Sequence, residues 1–185
     1  MTQTILILPG WHGSGAEHWQ RWLAAELPEA KVVEQENWAH PDLDAWLANL
    51  EAAIRDASGP VILVAHSLGV ILAAHHAARH GGERIAGALL VAPGDADVHA
   101  ATEPDIAGFA PVPRHRLPYP SVLVASRNDP HMDFDRSEAL ARDLGSDFVD
   151  LGEAGHVNVA SGYGPWPRAL DLLAGLRAAL SPPAR

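Results

Sequence analysis

The run Val61-Ile62-Leu63-Val64-Ala65-His66-Ser67-Leu68-Gly69 constrains what this chain can fold into more than any other segment. Five apolar residues rich in β-branching read as a strand buried on both faces. Leu68–Arg79 then carries a helical pattern, stopped by Gly81-Gly82. A serine at such a strand-to-helix junction sits on a sharp turn with its hydroxyl exposed at the carboxyl end of a sheet, the layout of a nucleophile elbow. Crowding at the turn demands small residues two before and two after the serine. Ala65 and Gly69 meet that demand, Ala65 standing where glycine is usual and adding one methyl that a small local shift absorbs.

An elbow makes a further demand on the rest of the chain. An acid and then a histidine have to follow, each just beyond a later strand. Both positions are filled. Ser121–Ser126 reads as a strand, and Arg127-Asn128-Asp129-Pro130 places a carboxylate on the turn that ends it. Asp147–Leu151 reads as the last strand, and Gly152-Glu153-Ala154-Gly155-His156 places a histidine in the glycine-flanked loop after it. Parallel strands aim all three loops at one edge of the sheet. The chemistry needs this set. A serine hydroxyl is a weak nucleophile at neutral pH, so His156 is expected to take its proton and return it to the leaving group, with Asp129 fixing the imidazole tautomer. Two backbone amides are expected to bind the negative charge that develops on the substrate oxygen. One is that of Leu68, after the nucleophile, and the other that of Trp11, in the loop Pro9-Gly10-Trp11-His12-Gly13-Ser14-Gly15 that follows the first strand, where Gly10 allows a tight turn.

The remaining segments alternate between strand and helix. Thr4–Leu8 is a short buried strand ended by Pro9-Gly10, and Glu17–Leu27 spaces Trp19, Trp22, Leu23 and Leu27 as on a helix. Lys31–Glu34 is a strand candidate, and Asp42–Ala57 puts Leu43, Trp46, Leu47, Leu50 and Ile54 on one helical stripe. Ile85–Ala92 is a strand, Phe134–Leu144 a helix ended by Gly145, and Pro167–Leu180 the last helix, before a proline-rich tail, Ser181–Arg185, expected to fray. The pattern predicts an α/β fold over residues 1–185 as a single domain: a parallel sheet of about six strands with helices on both faces. Asp95–Pro120 holds five prolines, which excludes a long helix and leaves room for a loop with a turn or two near Pro104–Phe109.

Composition narrows the partners. A net charge of -10 argues against nucleic acid and anionic membrane, and the absence of cysteine excludes disulfides and thiolate chemistry. No apolar run approaches the roughly 20 residues that span a bilayer, and no basic leader precedes the first strand, so a cytoplasmic address follows by default.

With these residues assembled, the chain resembles the small α/β-hydrolases of the YdeN and retinoblastoma-binding protein 9 type. The matching pieces are Pro9-Gly10-Trp11 with Gly13-Ser14 and His18-Trp19, Asn37-Trp38 with Pro41, Ala65-His66-Ser67-Leu68-Gly69, Ser126-Arg127-Asn128-Asp129-Pro130, Gly155-His156-Val157-Asn158 and Gly164-Pro165-Trp166-Pro167. The resemblance implies a lidless, single-domain serine hydrolase with Ser67, Asp129 and His156 as its triad, needing no cofactor and no metal. A small-molecule acyl substrate, a soluble carboxylic ester, is the leading expectation. A peptidase or amidase using the same triad is the alternative, and a hydrolase-like module that engages a protein partner with little turnover is a third reading.

Other residues compete for attention. Asp95 and Asp97, after strand 85–92, are rival positions for the acid. His76 and His80, four apart on a helix, have the spacing of metal ligands, but no carboxylate near them in sequence completes a site and a solvated helix face is the reading adopted. Trp22 and Trp46 fall on core stripes. The loop residues His12, Trp38, His131 and Trp166 are the candidates for lining a substrate pocket.

Overall fold

The computed structural model describes residues 3–180, so the tail 181–185 lies outside it. Six strands, β1 (Thr4–Leu8), β2 (Ala30–Val32), β3 (Val61–Ser67), β4 (Ile85–Pro93), β5 (Ser121–Ala125) and β6 (Asp147–Asp150), form one sheet in the order β2-β1-β3-β4-β5-β6. Every pairing is parallel. The fold is that of an α/β-hydrolase. The strand read at Lys31–Glu34 lies one residue earlier and is shorter, because the sheet edge pairs only Ala30–Val32 with β1.

The central strands are apolar throughout because each face is covered. Ile5, Ile7, Ile62, Val64, Leu89 and Val91 point into one core, with Trp19 and Leu23 of α1 (Trp19–Glu26) and Ala169, Leu173 and Leu176 of α6 (Pro167–Leu180). Leu6, Leu8, Leu63, Ala65 and Leu90 point the other way, against α2 (Leu43–Asp56), α3 (Leu68–His80) and, through Leu140, Ala141 and Leu144, α5 (Phe134–Leu144). Asp42 starts α2 by accepting the Ala45 amide at 2.8 Å. Gly145, with φ 68°, ends α5 (Phe134–Leu144) in the left-handed conformation that glycine adopts at no steric penalty.

The proline-rich segment between β4 and β5 is a folded wall. It contains a four-residue helix that the sequence reading missed, α4 (Ala96–His99), and a 3-10 helix at Pro104–Phe109, where one or two turns were expected. Ile106, Phe109, Val112 and Leu117 join the second core. His75 of α3 donates through Nε2 to Phe109 O at 2.9 Å and so secures this wall to the central helix.

Chain direction across the sheet places the site. From β1 the chain moves outward to β2 and then returns to β3 on the other side of β1. The crevice at the carboxyl ends of β1 and β3 is therefore a topological switch point, where open α/β sheets bind ligands.

Candidate active site

Ser67 is the last residue of β3 and the residue before α3, with φ 55° and ψ -122°. That backbone is strained for any L-residue, and its neighbours enforce it. A methyl on Gly69 would stand 2.2 Å from Leu8 O and 2.8 Å from Pro9 O, so only glycine lets α3 lie this close to the end of β1. Gly10 opens the turn read from sequence, the Gly13 amide donating to its carbonyl at 2.9 Å, and has a second, related role. Its φ is not left-handed; its missing side chain makes room for Ser67 Cβ, 2.7 Å from where its own Cβ would be. Beside Ser67, the β3–β4 pairing slips between His66 and Ser67, and Ala92 adopts φ 45°. The irregularity brings Gly94 up to the serine, where a methyl would sit 3.3 Å from Ser67 Oγ.

The structure brings Ser67, His156 and Asp129 together in one hydrogen-bonded line. His156 Nε2 accepts from Ser67 Oγ at 2.9 Å, and His156 Nδ1 donates to both carboxylate oxygens of Asp129 at 2.9 Å each. The His156 and Asp129 side chains are 8% and 3% exposed, so the ion pair that forms when the imidazole is protonated is shielded from water. Asp129 Oδ1 also takes the His131 amide at 2.8 Å. The two loops are stitched to each other. Ser126 Oγ accepts from the Ala154 amide and Asn128 Oδ1 from the Gly155 amide, at 2.9 and 2.7 Å. Asn158 Oδ1 accepts from Ser161 Oγ, which itself accepts the His156 amide.

Beneath the histidine loop lies a polar support that the sequence reading missed. His66 Nε2 donates to His156 O at 2.8 Å, and Trp19 Nε1 donates to Val157 O at 2.9 Å. Two successive carbonyls are thus gripped, from β3 and from α1, in a stretch where Val157 takes φ 48°. Gln20, fully buried, donates to Leu8 O and Val64 O and accepts from Ser14 Oγ, so α1 also ties the end of β1 and the middle of β3 to the loop after β1. His18 caps α1 through Nδ1 and packs edge-on against His66, ring centroids 4.9 Å apart. Burial and repulsion from His156 hold His18 down to about 4 and His66 well below the ordinary histidine value, so both are neutral at pH 7.

The serine faces a cavity of about 580 Å³. Trp11, His12, Leu68, His131 and His156 line it, as do residues the sequence reading did not single out, among them His99, Glu103 and Ile106 from the β4–β5 wall and Val159 and Ala160. Two expectations fail. Trp38 does not line the cavity; its ring lies over Gly13 and edge-on to Trp46 at 5.4 Å. Trp166 is 7% exposed and packs edge-on to Trp19 at 5.2 Å, in the core under α6.

The rival acids are occupied elsewhere. Asp95 is paired through both oxygens with Arg136, and Asp97 accepts the Val112 amide at 2.8 Å. His76 is not on a solvated face: it is 2% exposed and hydrogen-bonds Glu51 of α2, a carboxylate that sequence distance concealed.

The serine hydrolase family model matches residues 5–175. The chain belongs to the serine hydrolase family. Among solved structures, this hydrolase is similar to a YdeN-like hydrolase of Pectobacterium atrosepticum, with 35% identity, a TM-score of 0.87 and coverage of 98% of this chain and 94% of that one. It is 24% identical to YdeN of Bacillus subtilis (strain 168), over 94% of this chain and 95% of that protein. A thermophilic esterase from Thermogutta terrifontis shares the fold at 15% identity, with a TM-score of 0.70 over 97% and 91% of the two chains. Among the described residues, no helix of this serine hydrolase is long and apolar enough to cross a membrane.

Proposed function

We propose that this hydrolase cleaves small carboxylic esters through an acyl-enzyme on Ser67. The observation that carries the reading is the unbroken line Asp129–His156–Ser67, each link 2.9 Å, opening on the cavity. Ser67 Oγ attacks the ester carbonyl as His156 Nε2 takes its proton, and the imidazolium is stabilised by the buried Asp129 carboxylate. The same proton passes to the departing alcohol. Water then repeats the sequence on the acyl-enzyme and frees the acid.

The developing oxyanion meets two amides. Leu68 N–H opens α3, where helical amides have no partner within the helix and the dipole favours negative charge. Trp11 N–H is the second donor. In its loop the His12 and Gly13 amides are committed to Trp38 O and Gly10 O, whereas that of Trp11 has no acceptor among the described residues. Gly10 lets this loop approach the second amide, since a Cβ on it would lie 3.2 Å from Leu68 N. One such donor is worth on the order of 3 kcal/mol in the transition state.

A fluorophosphonate probe tests the mechanism, and paired aryl esters and aminoacyl amides test the bond cleaved. Wild type is expected to label and to prefer the esters, and Ser67→Ala to lose both activities. A folded wild type that does not label would refute the nucleophile, and faster cleavage of the amides would refute the ester preference.

A further inference from the structure

Charge is distributed unevenly around the cavity, and this bears on the alcohol half of the substrate; the inference rests on the ester hydrolase reading above. No lysine or arginine lines the cavity. His18 and His66 are neutral at pH 7, and His131 is also held below the ordinary histidine value by desolvation and by repulsion from His156. Of the two lining carboxylates, Asp95 is 4% exposed, accepts the Val98 amide and is matched by Arg136 through both oxygens. Glu103 is different. It is exposed, and among the described residues no cation pairs with its carboxylate.

Geometry assigns Glu103 to one half of the substrate. The leaving oxygen has to sit against His156 Nε2 to receive its proton, so the alcohol meets the wall that continues from His156. Along that wall the His131 ring follows at 4.4 Å from His156, then the His99 ring at 6.1 Å from His131, with His99 Nε2 donating to His131 O at 3.1 Å. Glu103 comes one turn after His99, its amide donating to His99 O at 2.8 Å. We propose that this wall selects the leaving group by charge, accepting uncharged and cationic alcohols and rejecting those that carry a carboxylate, with Glu103 as the residue that sets the preference. An ammonium several bonds beyond the ester oxygen is attracted to the Glu103 end, and a carboxylate there finds a like charge and no lysine or arginine to replace its hydration.

Three butyrate esters test this: those of choline, of its uncharged isostere 3,3-dimethylbutanol, and of 4-hydroxybutyrate as the anionic alcohol. Each transfers the same butyryl group to Ser67, with the ester C–O bond breaking and the alcohol leaving with the proton from His156. Differences in kcat/KM, each divided by the ester's hydroxide-catalysed rate, therefore report the alcohol alone. The cationic ester is expected to exceed the anionic one about tenfold at low ionic strength, with the ratio shrinking as salt is added. Glu103→Gln should reduce the ratio several-fold and Glu103→Lys should invert it; circular dichroism verifies that these exposed-site variants are folded. A wild-type ratio near or below one, or a ratio indifferent to Glu103→Lys, overturns the proposal while leaving the ester hydrolase reading intact. If the uncharged ester is cleaved no faster than by Ser67→Ala, both fall.

Discussion

Trp19→Phe removes one hydrogen bond and leaves most of the packing in place. The indole N–H donates to Val157 O at 2.9 Å, while the ring makes edge contacts with Trp166 at 5.2 Å and His66 at 6.0 Å that a phenyl ring largely preserves. Val157 is 0% exposed, so its carbonyl is left with neither partner nor water, at about 1–3 kcal/mol. The same residue is β-branched at φ 48°, a backbone that costs on the order of 1–3 kcal/mol and persists only while its surroundings impose it. Losing the Trp19 bond therefore shifts the loop toward relaxed forms in which His156 no longer faces Ser67. A shift of about 2 kcal/mol changes the ratio of competent to relaxed forms roughly thirtyfold, so that from balance the competent fraction falls about fifteenfold. The urea midpoint is expected to fall at constant slope, and kcat to fall about ten- to fifteenfold with KM changing less, since most of the cavity lining lies outside this loop. Stopped-flow acylation with an aryl ester and urea titration of the same sample read both quantities. A variant destabilised by about 2 kcal/mol whose kcat stays within twofold of wild type would refute the reasoning: the bond would then support the fold without holding the histidine.

Asp129→Asn keeps the shape of the acid and loses its charge; the related change in a serine protease lowers turnover by about 10⁴, and a loss of that order is expected here in kcat, with the fold retained. Acid stability follows from His18 and His66. Both are neutral in the folded protein because burial pushes their values down, to about 4 for His18, whereas in the unfolded chain each protonates near its ordinary value. Unfolding therefore takes up protons as pH falls below about 6.5, and their contribution is complete above that range and lost below it, at about 1.4 kcal/mol per pH unit for each group. Urea midpoints measured from pH 7.5 to 4.5 should show this decline, and His18→Gln should make it shallower by one proton; a pH-independent midpoint would contradict the burial of neutral imidazoles.

What was legible in the chain was what neighbours in sequence determine. The strands at Thr4–Leu8 and Val61–Ala65 announce themselves by β-branched runs, the helices at Phe134–Leu144 and Pro167–Leu180 by apolar spacing and terminal residues, and Asp129 and His156 by turn residues at strand ends. The contacts that escaped are between residues with no periodic relation. Trp166 packs on Trp19, Trp38 on Gly13, and Glu51 on His76, and nothing local distinguishes a loop tryptophan bound for the core from one bound for a pocket. Short α4 escaped for a different reason: four residues among prolines carry too little pattern to register. His66 shows how the two kinds of information meet. Its neighbour Ser67 is fixed by the elbow, and the alternation of a strand then turns His66 to the opposite face, toward α1. What it meets there, the carbonyl of a residue 90 positions away, is set by how α1 and the last loop pack on that face. The nucleophile and the support of its base thus come from adjacent residues of one strand, so a shift of β3 displaces both partners of the Ser67–His156 bond in the same direction.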